Sequence, residues 1–293
     1  MNGDRERRQL ALMLAPYLFG LVVLVVVPAG VTFALSLYSY DLIRPASFLG
    51  LANYRELLGD DVFRVSVRNS LQYVLFAVPL RLVGAVALAL LLHRRIRAVG
   101  AYRTAAYLPS VVPDVAYALL WLWLFNPLYG PLNLALAAVG APTPPWLTGL
   151  GATQAAVIIM GLFQLGEGFL VVLATRQEIP EELYELVALE GAGPLGALRR
   201  VTLPAMAPTL LLLLARDTIF SLQANFVPAL LVTDGGPPPY ATTYLPLFVY
   251  RTGFEYLRYG YAAAATVFMF LVTAYIVLIQ YRIVRRWRSA FVV

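Results

Sequence analysis

The sequence contains no cysteine, no lysine and a single histidine, His93. Zinc and iron–sulfur centres are held mainly by Cys and His, so such a site has too few ligands here and no metal is expected. Without lysine there is no Gly-rich phosphate loop with its lysine and no lysine Schiff base, so this chain is not expected to hydrolyse ATP by that route. The missing cysteine leaves the redox compartment open. Charge is scarce too: 13% of the 293 residues are charged and 60% are hydrophobic, with a mean hydropathy of +0.74. Soluble domains run near ~45–50% apolar and ~25% charged, so a water-soluble protein fits poorly.

What is abundant is long apolar sequence. Several runs reach the ~20 residues that a helix rising ~1.5 Å per residue needs to cross ~30 Å of hydrocarbon. Backbone polar groups there must bond within the segment, so the runs are read as helices. The predicted fold is all-α and integral to a membrane: one domain, 1–293, with six transmembrane helices near 10–38, 66–92, 104–125, 152–175, 203–232 and 261–281. The first run follows Arg5, Arg7 and Arg8 as a secretory signal would, but it exceeds the ~7–15 apolar residues of such a signal and is read as a retained helix.

Fourteen arginines fall in the N-terminal segment, the second and fourth connections and the tail, against six in the other three connections. Cytoplasmic loops keep positive charge, so both the N and C termini are expected to be cytoplasmic. The formal net charge of +6 invites a nucleic-acid reading, yet the arginines cluster beside apolar spans; the expected partner is the lipid bilayer and not nucleic acid. The uncharged connection 126–151 holds Pro127, Pro131, Pro142, Pro144, Pro145 and Trp146, and is expected at the interface with Trp146 as an amphipathic anchor.

The fourth connection carries most of the functional information. Its stretch 180–193 reads as a short helix: Pro180 suits a first helical position, Glu181 and Glu182 face the positive end of the dipole, and Gly191 or Gly193 ends it before Pro194. Leu183, Leu186, Val187 and Glu190 recur at three and four residues, giving an apolar face beside acidic residues. Three arginines stand against Glu178, Glu181, Glu182, Glu185 and Glu190, a net charge of −2 that anionic lipid repels, so a protein partner is the natural counterpart. An amphipathic connector with ordinary caps fits the same residues.

Here the chain resembles the permease subunits of binding-protein-dependent ABC importers, whose signature runs E-A-A, three residues, G, nine residues, I-x-L-P. Glu185, Gly191, Val201, Leu203 and Pro204 stand at those spacings, and Ala188, Gly191, Ala192 and Gly193 match the A-x-x-G-A-G surroundings. The two alanines are Leu186 and Val187 here. Gly50-Leu51-Ala52-Asn53-Tyr54, Tyr102-Arg103-Thr104, Pro109, Trp121, Trp146-Leu147, Leu222-Gln223, Thr233-Asp234-Gly235-Gly236-Pro237 and 254–264 resemble, in order, segments of the maltose, disaccharide and glycerol-phosphate branch.

That resemblance implies a type I ABC importer permease fold in a prokaryotic inner (plasma) membrane, and a subunit without an ATPase motif of its own. It implies as partners a second related permease subunit, two ATPase subunits or a homodimer that bind ATP and Mg, and an extracytoplasmic solute-binding protein. Glu185, Ala188, Gly191, Gly193, Leu203 and Pro204 would serve ATPase coupling, and a sugar or sugar-like solute would cross by alternating access.

Polar side chains inside the expected spans mark the candidate passage, since each costs ~2.5–3.5 kcal/mol in hydrocarbon. Gln164 and Glu167 lie three apart near Gly161 and Gly168, so a continuous helix puts them on one face. Asp217, Ser221 and Asn225 stand four apart, flanked by Arg216 and Gln223, with Pro228 following. One reading has these stripes hydrogen-bonding a polyhydroxylated solute. The other is structural: glycines for close packing, Glu167 or Asp217 paired with Arg216 or Arg81, and polar groups bridging helices. A secondary transporter or channel would also carry buried charge, and an intramembrane enzyme would use Asp217, Glu167 or His93, but no nucleophile motif accompanies them.

Overall fold

The structure, a computed structural model, describes residues 2–94, 97–223, 226–237 and 240–291. The chain folds as two compact units: 1–60 with 249–270, and 61–248 with 271–293.

In the first unit, α1 (Asn2–Leu21) runs through a π turn, Val22–Val26, into α2 (Val27–Leu35). The wide turn ends two residues before Pro28. Proline has no N–H to donate and its ring crowds the carbonyl four residues back, so the turn opens there. After it, β1 (Tyr38–Ser39) pairs antiparallel with β2 (Ser47–Phe48). In the intervening loop the Asp41 carboxylate accepts the N–H groups of Arg44 at 2.8 Å and Ile43 at 3.0 Å, which hold it below the usual carboxylate range. Asn53 and Tyr54, in α3 (Ala52–Gly59), tie this loop to the first helix: Asn53 Nδ2 donates to the Ser36 and Tyr38 carbonyls at 2.8 and 3.0 Å, and the Tyr54 hydroxyl to Ser36 Oγ at 2.7 Å.

The second unit is organised around α4 (Asp61–His93), the longest helix of its helical core. A hydrophobic cluster joins Ala85, Ala89 and Leu92 of α4 to Phe169, Val172 and Leu173 and to Met206 and Leu213 from later helices. The chain leaves α4 under an arginine clasp, Arg103 of α5 (Val99–Tyr107) donating to the Leu92 carbonyl at 2.8 and 3.2 Å, which satisfies a helix-end acceptor.

Among the described residues, four helices are long and apolar enough to cross a membrane, and up to six if each of two bent pairs counts as one crossing. Both bends revise the sequence expectation. The run 104–125 is not one helix: Val99–Ser110 and α6 (Asp114–Leu124) meet at 97°. Pro109 sits in a 3-10 turn and Pro113 is the N-cap of α6, where neither needs an amide hydrogen. The run 152–175 is also divided, α8 (Leu150–Phe163) meeting α9 (Gly166–Glu178) at 43° after α7 (Pro131–Ala138) has closed the intervening loop. No proline lies at that break. Instead Gly166 lets the backbone press against 106–110: a Cβ there would stand 2.7 Å from Ser110 Oγ and 2.8 Å from the Tyr107 Cα, and the Gly166 N–H donates to Ser110 Oγ at 3.1 Å. Gly166→Val is therefore expected to cost about 1–3 kcal/mol by overpacking, readable as a lower unfolding temperature in detergent.

Trp146, expected as an interfacial anchor, is folded onto its own chain, its indole N–H donating to Asn133 Oδ1 at 2.8 Å and its ring 5.4 Å from that of Phe125. Further along come α10 (Glu181–Leu189), α11 (Pro194–Ala197), a second π turn at Leu198–Thr202, and α12 (Leu203–Gln223). This turn too ends two residues before a proline, Pro204. The short helices α13 (Phe226–Leu231) and α14 (Leu245–Tyr250) flank a loop of left-handed residues, Asp234, Gly235 and Gly236, closed by Thr233 and Thr242 hydroxyls 2.6 Å apart. The last helix, α15 (Tyr259–Phe291), begins in the first unit and ends in the second, where Gln280 Nε2 donates to Thr218 Oγ1 at 2.7 Å.

Candidate functional site

Two groups of residues stand out in the second unit. The first is a chain of charges that links α4, the C-terminal third of α12 and the first turn of α9. Arg81 of α4 is buried; its guanidinium donates to Ser221 Oγ, and its Nε lies 3.9 Å from Asp217 Oδ2 with no hydrogen-bond partner of its own. Asp217 also takes Arg216 at 3.4 Å, and Arg216 pairs with Glu167 at the start of α9. Each step of this chain alternates sign, so no member is left as an isolated charge. Burial grades along it: the Arg81 and Asp217 side chains are 5% and 14% exposed, those of Arg216 and Glu167 47% and 50%.

The expected residues separate as follows. Asp217, Ser221 and Glu167 join the chain of charges. Gln164 is the C-cap of α8 and lines a cavity of about 20 Å³ with Arg81, Tyr73 and Asp114, room for about one water. Because the helix breaks between them, Gln164 and Glu167 occupy two helices and not one continuous face. Gln223 is exposed, and Asn225 lies outside the described residues. Gly161 packs against the Tyr73 hydroxyl, while Gly168 has only ordinary contact with Ala85. Arg81, considered in the sequence only as a pairing partner, is the hub. A larger cavity of about 510 Å³ beside Trp121, Leu124 and Phe163 has apolar walls and offers a polyol almost nothing to bond.

The second group is the acidic loop. Pro180 is the N-cap of α10, one residue earlier than expected, and Glu181 and Glu182 fill the first turn. At the other end the Gly191 N–H donates to the Ala188 carbonyl at 2.9 Å and the Ala192 N–H to the Val187 carbonyl at 3.2 Å, with Gly191 at φ +77°: a Schellman stop, for which glycine is suited by lacking a Cβ. Gly193 is the N-cap and Pro194 the first residue of α11, so that proline opens a helix as well as closing one.

The inward residues of α10 are Tyr184 and Val187, packed on the hydrophobic cluster; the Tyr184 hydroxyl is 3.0 Å from Thr202 Oγ1, and the buried Arg176 guanidinium lies 4.1 Å from its ring centroid. Arg176 also holds Glu181 at 3.5 Å. The apolar face read from spacing is thus divided, because the cluster lies under Tyr184 and Val187. Leu183, Leu186 and Leu189 point outward, 42%, 58% and 86% exposed, among the exposed Glu182 and Glu185.

An apolar helical protein with a chain of paired charges between its helices, and an amphipathic helix offered from a polar loop, has the makings of a membrane transport subunit. A family model described as the binding-protein-dependent transport system inner membrane component matches residues 85–289, and the chain belongs to that family, one of transport permeases and not of enzymes. It is 30% identical over 278 residues to the probable ABC transporter permease protein YesP of Bacillus subtilis, covering 94% of this chain and 89% of that one. It is 31% identical over 263 residues to the sn-glycerol-3-phosphate transport system permease protein UgpA of Yersinia pestis, 88% of each chain. The fold is that of a chain in a bacterial alginate ABC transporter crystallised with its alginate-bound periplasmic protein, at TM-score 0.79, 23% identity and coverage of 97% and 96%.

Proposed function

We propose that this chain is the membrane-spanning permease of an ATP-driven importer for a sugar or sugar-like solute, crossing the bacterial inner membrane six times with both termini in the cytoplasm. Its two bent pairs each make one crossing. Energy comes from separate ATPase subunits, which bind ATP and Mg and grip α10; the solute is delivered by an extracytoplasmic binding protein and passes between this chain and a second related permease by alternating access. The relatives' names supply the class of transport, and UgpA's solute, a polyol phosphate, supports the solute class.

The observation that carries the reading is the outward surface of α10, where Leu183, Leu186 and Leu189 stand exposed among acidic side chains in a loop closed by its Schellman stop and tethered by Arg176. Exposed leucines on an acidic helix suit a protein groove better than anionic lipid. Glu185 and Leu186 contact the ATPase in this account, Ala188, Gly191 and Gly193 shape the helix end, and Leu203-Pro204 begins the span that carries the motion inward. Gln164, Glu167, Asp217 and Ser221 lie along the passage.

Reconstitution tests it. The chain should copurify with an ATPase subunit in mild detergent, and liposomes holding the assembly should take up solute only with ATP inside. Glu185→Ala should lower ATPase recovery about fivefold, as ~1 kcal/mol does. Uptake by the chain alone, driven by an ion gradient, would replace this reading with a secondary transporter.

A further inference from the structure

The exposed end of the charge chain is not accounted for by packing. Arg81 is buried and Asp217 mostly covered, and the two hold α4 to α12, whereas Arg216 and Glu167 leave about half of each side chain uncovered on this chain's own surface. Arg216 lies near the middle of the candidate span Pro194–Leu231 and Glu167 beside the break of the span formed by Leu150–Phe163 and Gly166–Glu178. A guanidinium at that depth does not face acyl chains, where its insertion is costly, so this surface faces water or a polar partner. Its pairing is uneven: Asp217 is shared with Arg81, which leaves Glu167 as the one acidic partner Arg216 has to itself among the described residues. A carboxylate held by an exposed pair is exchangeable, because exposed ion pairs are weak in water.

We infer that Arg216 is a contact for an acidic group on the transported solute, with Glu167 as a resident carboxylate that the solute's own carboxylate, sulfonate or phosphate displaces. This deepens the import reading above and rests on it: the solute class narrows to anionic sugars or polyols. The geometry provides for the exchange, since a guanidinium takes an oxyanion through two parallel N–H groups, and Arg81, by holding Asp217, draws that carboxylate partly away from Arg216. Glu167 serves meanwhile to keep Arg216 paired when no solute is present, and to oppose anions that bind weakly.

The opposite signs expected for two substitutions separate a solute contact from a structural pair. The complete assembly, with its ATPase and binding protein, is reconstituted in liposomes and given matched acidic and neutral sugars, such as a uronic acid disaccharide with its neutral counterpart, and glycerol 3-phosphate with glycerol. The wild type should take up an acidic member and not its neutral match. Arg216→Gln should raise the KM for the acidic solute by about tenfold or more, as loss of a charged hydrogen-bond partner does. Glu167→Gln should instead lower that KM several-fold, since the competitor for Arg216 is gone. ATP-driven uptake of neutral sugars alone would overturn this inference and leave the import reading standing, and uptake of neither solute with ATP would sink both. Equal impairment by the two substitutions, with loss of assembly on a sizing column, would make Arg216–Glu167 a structural pair and overturn the inference.

Discussion

Arg81→Met should cost about 3–5 kcal/mol of stability, the penalty for leaving one member of a buried ion pair without its partner. The Asp217 carboxylate, 14% exposed and 3.9 Å from the Arg81 Nε, would keep only Arg216, and Ser221 Oγ would lose its donor. The contact between α4 and α12 carries this pair, so the loss should appear as unfolding at lower temperature in detergent and as poor recovery from membranes. Adding Asp217→Asn to Arg81→Met removes the stranded charge and should restore most of the stability, because two neutral side chains of similar size replace the pair. If the double variant is no better than the single, the arginine holds the helices through its aliphatic stem and Ser221 and not through Asp217.

A second substitution acts on association and leaves folding alone. Leu186→Asp should weaken ATPase binding by about 30-fold, the consequence of losing ~2 kcal/mol at an apolar anchor. Leu186 is 58% exposed and stands outside the cluster that holds α10 in place, so the melting temperature of the isolated chain should stay where it was. Pull-down of the ATPase subunit at graded concentrations measures the first quantity and a thermal scan the second. A loss of melting temperature matching the loss of binding would mean that Leu186 supports the loop itself.

The two bulky residues in place of the family's alanines have different consequences. Val187 turns inward onto the cluster of Val201 and Met206, so its extra volume is absorbed within this chain. Leu186 turns outward, and of the two only its bulk is presented at the surface. Sequence spacing shows that both belong to an amphipathic helix, but the choice of inward face is made by what lies beneath it, here Tyr184 settling under Arg176.

The same limit explains what was legible elsewhere. Long apolar runs announce helices wherever they occur, since every backbone group in them must bond internally, and α4 and α15 fall where hydropathy puts them. The bend at 108–113 carries its own signal in Pro109 and Pro113. The break at Gln164–Leu165 carries none: it arises because Gly166 meets Ser110 and Tyr107, fifty-odd positions away in sequence but adjacent in space. The candidate passage was legible as residue types and not as partners. Asp217 and Ser221 at a spacing of four announce a stripe, but that Arg81 of another helix would gather both is a tertiary fact.

The π turn before Pro204 has a rotational consequence. A turn closed by a bond from the Leu203 N–H to the Leu198 carbonyl holds one residue more than an α-turn would. Each residue of an α-helix advances the azimuth by about 100°, so the spare residue sets the angle at which Asp217 and Ser221 emerge relative to the acidic loop. Winding that turn tight would swing the aspartate away from Arg81 by more than a quarter of a revolution. The gearing between the loop and the interior charges is thus cut by a single proline.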